Sequence, residues 1–452
     1  MNLKEAPPFD ALNHAQQKTP PSRRWAWIAL GMTLLAMCAW FFSAPLVSSV
    51  REQAQDLNSK QAMPFRLEFE LNDEQVIAAS HDPEHLVRQI YAALGDGDRA
   101  KALALAGVLA RQFPTFQLGQ LLYADLLNIS TNAPVALPEV EEQDKPSLTR
   151  RLNELILESK RRLNRPNAHS LQGRVPSALL NLSPQQAYVA AVDASQSRLY
   201  WFENQSSGHG PVQLKLVRES YISVGLNGVG KQLEGDGKTP TGIYFVQKNL
   251  PGETLPDLFG IGALTLNYPN ALDLMNKKTG SGIWLHGTPS AQYARAPEST
   301  DGCVVLANPE MGQLLNLSGL RMTPVIIAEK IDWVTPVESA EAFNAFKPSL
   351  DAWLAARNGT DADALKRHYS ERFERDDMGL NQWWPRMAQT TLGHHVSKPL
   401  ELISALQWKD SAQTMVVTLK DPNHKASVPP QYLRTYWQKE AGQWKLVFQG
   451  PT

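Results

Sequence analysis

Between Trp25 and Val50 the chain carries no Asp, Glu, Lys, Arg or His. The first part of that run, WAWIALGMTLLAMCAWFF, is almost wholly apolar. At about 1.5 Å of rise per residue, a helix of this length crosses a hydrocarbon core of about 30 Å. The run has no polar face, which separates it from a helix in a soluble core. Arg23 and Arg24 stand just before it, and positive flanks stay in the cytoplasm. A cleaved signal peptide is the alternative, but the run is long for one, and Pro45 after Ser43-Ala44 makes a poor cleavage site. The expectation is a cytoplasmic tail at 1–24, an uncleaved anchor at 25–50, and export of everything beyond.

Export gives the cysteines meaning. Of the 2 Cys, Cys38 lies inside the anchor, which leaves Cys303 as the lone exported thiol. Two cysteines exclude a disulfide scaffold and a thiolate-built zinc or iron–sulfur centre. A lone thiol in an oxidising compartment is either buried and inert or a nucleophile. A composition of 43% hydrophobic and 20% charged residues fits globular domains. The net charge of −1 lacks the basic excess of nucleic-acid binders, so nucleic acid is not expected as a partner.

Beyond the anchor the hydrophobic period changes twice. In RLEFELND it suggests one strand. From Glu84 it is 3.6: Leu86, Ile90 and Leu94 mark one helix, closed by Gly95-Asp96-Gly97. A second helix ends near Phe113-Pro114, a third carries Leu118, Leu122 and Leu126, and a fourth runs through Leu152 to Leu163. This pattern at 51–183 resembles one tetratricopeptide-type hairpin with extra helices, too few units for a solenoid. The ESKRRLNR tail of the fourth helix reads as a solvated basic face. From Gln186 the period is 2, with short strands between Gly, Pro and Asn punctuation, which makes 184–332 a β-rich domain. The 333–452 segment reads as helices followed by strands. It resembles the nuclear-transport-factor-2-like (SnoaL-like) α+β cone, in which Trp383, Trp384, Trp408, Trp437 and Trp444 either fill the core or line a ligand site. The expected class is multidomain α+β.

The chemistry concentrates in IWLHGTPSAQYARAPESTDGCVVLAN. His286 ends a strand-like run, and Cys303 follows a tight Thr300-Asp301-Gly302 turn seventeen residues later. A free thiol of pKa about 8.5 is a few per cent thiolate at neutral pH, and a neighbouring imidazole can take its proton. The turn at Gly302 would let the N–H groups of Gly302 and Cys303 converge on one oxygen. The bland reading of the same residues is a buried Cys beside an unrelated His.

The surrounding motifs favour chemistry. HGT, a short loop and Thr300-x-Gly302-Cys303 resemble the signature of YkuD-type L,D-transpeptidases, which remodel peptidoglycan, and KQLEGDGKTPTGIYFV matches that family's approach motif. GIGALTLNYPNALD and GIWLHGTP resemble its YafK/ErfK branch. The likeness covers about 185–330. It implies a β-rich sandwich with Cys303 at its lip as nucleophile, His286 as base and the Gly287 carbonyl orienting the imidazole. Thr300, Asp301, Lys238 and Thr239 fall in the substrate-contacting motifs. The family often has His where Asp301 stands and Arg where Val305 stands; Arg295 is the candidate for the missing cation, its bland alternative being a solvated loop residue.

The resemblance further implies attack on the L-centre diaminopimelate–D-Ala bond of tetrapeptide stems, a thioester intermediate, and no metal or cofactor. An amine acceptor gives transpeptidation; water gives L,D-carboxypeptidation. The layout of helical module, catalytic domain and cone also resembles L,D-carboxypeptidases that set cell shape. The third possibility is a non-catalytic envelope scaffold with protein partners. Peptidoglycan stems and the inner membrane, through 25–50, are the expected partners, with the catalytic part periplasmic. Elsewhere, His81 and His85 in HDPEH stand at metal-ligand spacing, but Asp82-Pro83-Glu84 reads better as a helix start. His394-His395 reads as structural.

Overall fold

The structure, a computed structural model, describes residues 82–131, 142–165, 171–208, 210–317, 319–392, 398–423 and 432–452. The expected anchor, the strand expected in RLEFELND, His81 and His394-His395 lie outside the described residues. Among the described residues no helix is long and apolar enough to cross a membrane.

Four helices come first: α1 (Pro83–Gly95), α2 (Arg99–Gln112), α3 (Gln117–Thr131) and α4 (Lys145–Leu163). The Asp82 carboxylate accepts from the Glu84 N–H with Pro83 in the first turn, a cap rather than a metal site. Gly97, at φ +78°, turns the chain into α2, where Asp98 caps the Lys101 N–H. Leu86, Ile90, Leu105, Leu109, Phe116 and Leu122 form the shared core of these helices.

The basic tail of α4 departs from the expected solvated face. Arg162 is buried, held by Glu158 at 2.8 Å, and its guanidinium lies 3.8 Å from the centre of the Tyr221 ring. Arg198, fully buried, reaches across to Glu84, and Arg165 pairs with Glu219 at 2.8 Å. Three carboxylates and three guanidinium groups thus neutralise one another where the helices meet the β-rich domain. Charges are buried when each finds a partner, and sequence alone cannot show a partner that distant.

The β-rich domain is a single nine-stranded sheet that closes on itself, rather than the sandwich expected. After β1 (Leu179–Leu182), discussed below, its strands are β2 (Tyr188–Asp193), β3 (Arg198–Asn204), β4 (Leu214–Gly225), β5 (Gly242–Pro251), β6 (Gly262–Leu266), β7 (Trp284–His286), β8 (Glu298–Thr300), β9 (Val304–Leu306) and β10 (Pro324–Ala328). The order is β9-β7-β6-β5-β10-β2-β3-β4-β8, and Val305 also pairs with Ser223, which joins β9 back to β4. Alternation sorts the side chains. Val192, Leu199, Trp201, Ile222, Tyr244, Leu264 and Val304 fill one core. Val189, Ala191, Tyr200, Ile243, Phe245 and Ile326 face the other way. Helix α5 (Asn308–Leu315) follows β9.

That second face is covered by the C-terminal α+β unit. Helices α6 (Pro336–Arg357), α7 (Ala362–Lys366) and α8 (Leu380–Thr391) precede strands β11 (Glu401–Lys409), β12 (Gln413–Lys420), β13 (Tyr432–Glu440) and β14 (Gln443–Pro451). The strands form an antiparallel sheet whose fifth member is β1, paired through Leu182 and Ser404. Residues 179–182, read from sequence with the helical module, therefore belong to the C-terminal sheet. Trp383 and Trp437 are buried with Phe346, Trp353 and Phe373, as core, and Trp384 and Trp444 pack against that cluster. Trp408 packs on the opposite face, toward the nine-stranded sheet. Trp383 also borders a cavity of about 430 Å³ with Arg357, Arg375 and Tyr432.

Candidate active site

Strands β7 and β9 are adjacent and parallel, with Leu285 opposite Val304 and His286 opposite Val305. Alternation then puts Cys303, two residues before Val305, on the same sheet face as His286. The residue between them in the pattern, Val304, points into the apolar core with Leu285. This register is what brings together two side chains far apart in sequence.

The imidazole is buried, 3% exposed, and its Nδ1 lies 2.7 Å from the Gly287 carbonyl oxygen. A carbonyl only accepts, so Nδ1 carries the proton and Nε2 keeps a free lone pair, the tautomer a base requires. Burial pushes the His286 pKa down to about 4, against a smaller upward pull from the Gly287 carbonyl; Arg295 adds to the fall. The ring of Phe259 meets the imidazole edge-on at 5.0 Å and lies 4.8 Å from Trp284, which supplies the apolar wall.

Cys303 is partly buried and its thiol donates to the Gly282 carbonyl at 3.4 Å. Burial raises the thiol pKa, opposed by the Trp284 N–H and by the charges of Arg295 and Lys231, while Asp301 adds to the rise. The resting pair is therefore neutral thiol and neutral imidazole. In the resting site burial outweighs the Trp284 N–H and the two cations that favour an anionic sulfur.

Thr300 organises the turn. Its hydroxyl donates to the Cys303 carbonyl at 2.7 Å and accepts the Gly302 N–H at 3.1 Å. The Gly302 N–H is thus engaged, and the pair of oxyanion donors expected from sequence is reduced to the Cys303 N–H. Gly302 sits at φ +127°, and a Cβ there would lie 2.6 Å from the Lys238 carbonyl oxygen, so only glycine fits. Lys238 contributes its backbone as the floor of the turn. Thr239 is buried, its hydroxyl accepting the Gly225 N–H at 2.9 Å; it braces β4 and has no face open to substrate. Asp301 is exposed at the turn. Arg295 is not the freely solvated loop residue of the bland reading: it is partly buried and its guanidinium donates to the Ser299 carbonyl.

Asn308, at the start of α5, went unnoticed in the sequence. Its Oδ1 accepts the Ile261 N–H at 3.0 Å and its Nδ2 donates to the Thr288 carbonyl at 2.8 Å. One amide thereby ties the Phe259 segment to the His-Gly-Thr turn. A Cβ on Gly287 would fall 2.1 Å from that Oδ1, and one on Gly260 2.2 Å, so both glycines are required by the same close approach. The one visible signal was HGT itself, whose glycine needs a neighbour to explain it. Among the described residues no group of three His, Cys, Asp or Glu side chains is placed to hold a metal ion.

Residues 187–327 match the family model of the YkuD L,D-transpeptidase catalytic domain. Among solved structures the chain is similar to Bd1075 of Bdellovibrio bacteriovorus, at 24% identity over 62% of this chain and 99% of that one, with a TM-score of 0.48. It is also similar to the helical cell shape determining protein Pgp2 from Campylobacter jejuni, at 20% identity over 61% of this chain and 95% of that one, TM-score 0.48. No curated protein matches the chain.

Proposed function

We propose that residues 187–327, a YkuD-type L,D-transpeptidase catalytic domain, transfer the acyl group of a peptidoglycan stem peptide through a thioester on Cys303. The observation that carries the reading is the placement of Cys303 and His286 on one face of adjacent strands, with the imidazole held as its Nε2 base by Gly287.

The neutral pair sets the order of events. The thiol turns from the Gly282 carbonyl toward Nε2. As sulfur attacks the carbonyl of the L-centre of diaminopimelate, His286 takes the thiol proton, and charge develops only in the transition state. The Cys303 N–H is the turn's donor to the forming oxyanion, and the nearby Arg295 guanidinium favours the added negative charge. Collapse breaks the bond to D-Ala, whose nitrogen receives the proton from His286. The thioester then passes to an amine of another stem, which is transpeptidation, while water in place of the amine would give the tripeptide. The apolar run at Trp25–Val50 and its Arg23-Arg24 flank support a catalytic part anchored on the periplasmic side of the inner membrane.

The test is incubation of the protein with disaccharide-tetrapeptide, read by mass. Stem dimers support transpeptidation, tripeptide alone moves the reading to carboxypeptidation, and no product together with no carbapenem acylation at Cys303 refutes acyl transfer. Cys303→Ala abolishes both turnover and acylation. Simple alkylation rates do not separate enzyme from scaffold, since a thiol raised by burial labels slowly in either case.

A further inference from the structure

The loop joining His286 to Cys303 is fastened to the helical module. The Tyr293 N–H donates to the Thr115 carbonyl at 3.1 Å, and the Tyr293 ring lies 5.3 Å from both Phe113 and Phe116. On the other side, the hydroxyls of Tyr221 and Ser223 both donate to the Arg295 carbonyl at 3.0 Å. Between this fixed loop and α4 lies a crevice of about 180 Å³, bordered by Gln117, Arg151, Glu154, Glu158, Arg295 and Ser299.

Its charges are of both signs and unevenly engaged. Glu158 is committed to Arg162. Among the described residues Glu154 has one ion-pair partner, the exposed Arg150 at 3.8 Å, a contact worth little. Arg151 has no ion-pair partner among the described residues. The crevice is tied to the cysteine turn: Arg295 bonds the Ser299 carbonyl, and the next residue, Thr300, bonds the Cys303 carbonyl. A lone anion would meet Glu154, and a lone cation would meet Arg151 and Arg295. A group with both charges on one carbon meets a partner for each.

We propose that this crevice, one wall of it supplied by the helical module, is a subsite for a zwitterionic end of the substrate, with Arg151 and Arg295 facing its carboxylate and Glu154 its ammonium. The proposal rests on the acyl-transfer reading, in which the diaminopimelate side chain ends in such a carbon. The module then completes the active site, and its docked loop means the crevice is formed before substrate arrives, which lowers the ordering cost of binding.

The experiment compares the full chain on two disaccharide-tetrapeptides, one with free diaminopimelate and one with the side-chain carboxylate amidated. The wild type is expected to lose about tenfold or more in kcat/KM on the amidated stem, the scale of a charge-assisted hydrogen bond. Arg151→Ala and Glu154→Gln are expected to lower kcat/KM on the free stem, and Arg151→Ala to bring the ratio between stems toward one. A ratio taken within each protein cancels any loss of folded fraction. A wild-type ratio near one, or an Arg151→Ala ratio unchanged from wild type, overturns the subsite while leaving acyl transfer standing. No turnover of either stem and no carbapenem acylation of wild type overturns the acyl-transfer reading, and the subsite with it.

Discussion

At the scale of single residues, the site is governed by burial. His286 must be neutral to accept a proton, and its pKa of about 4 keeps it neutral well below the ordinary histidine range. The acid limb of kcat/KM should therefore fall near pH 4 rather than near 6.5, and a pH–rate profile checks it; a limb at 6.5 would mean a solvated imidazole. The same burial makes the fold less stable as pH drops from 6.5 toward 4, where the unfolded chain gains a proton that the folded one refuses. Asn308→Ala removes the amide that fixes the His-Gly-Thr turn. We expect kcat to fall by about tenfold or more with KM little changed, since a catalytic base displaced by a fraction of an ångström loses rate before binding. Cys303 and His286 were legible in sequence as a candidate pair because their residue types and flanking glycines suit that chemistry, and the strand register puts both on one face. Asn308, Phe259 and Trp284 were not, because each acts through a neighbour that only the closed sheet supplies. Thr239 misled for the opposite reason: a motif residue can serve the backbone of the turn without touching substrate.

At the scale of elements, helix α5 links the site to the helical module. Glu310 lies two residues beyond Asn308, its Oε2 buried without a hydrogen-bond partner among the described residues. Burial raises its pKa to about 7, against the pull of Arg162 and Arg218 and with the help of Glu84 and Asp82. An unfolded Glu ionises near 4.5, so between 4.5 and 7 the folded chain holds a proton that the unfolded one has lost, and stability declines as pH rises through that window. Glu310→Gln should raise the melting temperature at pH 8 and change it little at pH 4.5; equal shifts at both values would show that Glu310 is solvated. The helices themselves were readable from their apolar period and from Asp82, Asp98 and Gly97. The basic tail of α4 was not, because a row of arginines looks alike in water and in a buried network until Glu84, Glu219 and Arg198 arrive from other elements.

At the scale of the whole molecule, the units share a core. Ile243, Phe245 and Ile326 of the catalytic sheet pack with Leu406, Val416, Tyr436 and Val447 of the C-terminal sheet, and the Arg434 guanidinium lies 3.2 Å from the centre of the Phe245 ring. A chain ended after Val334 would leave that face bare, and we expect it to bind a hydrophobic dye and aggregate; a soluble, monomeric, acylable fragment would show the sheets to be independent. Alternation in the C-terminal strands announced their existence, yet nothing local in Leu179–Leu182 told which sheet they would join, since pairing at long range is set by the partner. That pairing also fixes an order of events in biosynthesis. Leu182 leaves the ribosome some two hundred residues ahead of Ser404, so β1 is made long before its partner and stays an unpaired strand until the C-terminal strands are delivered.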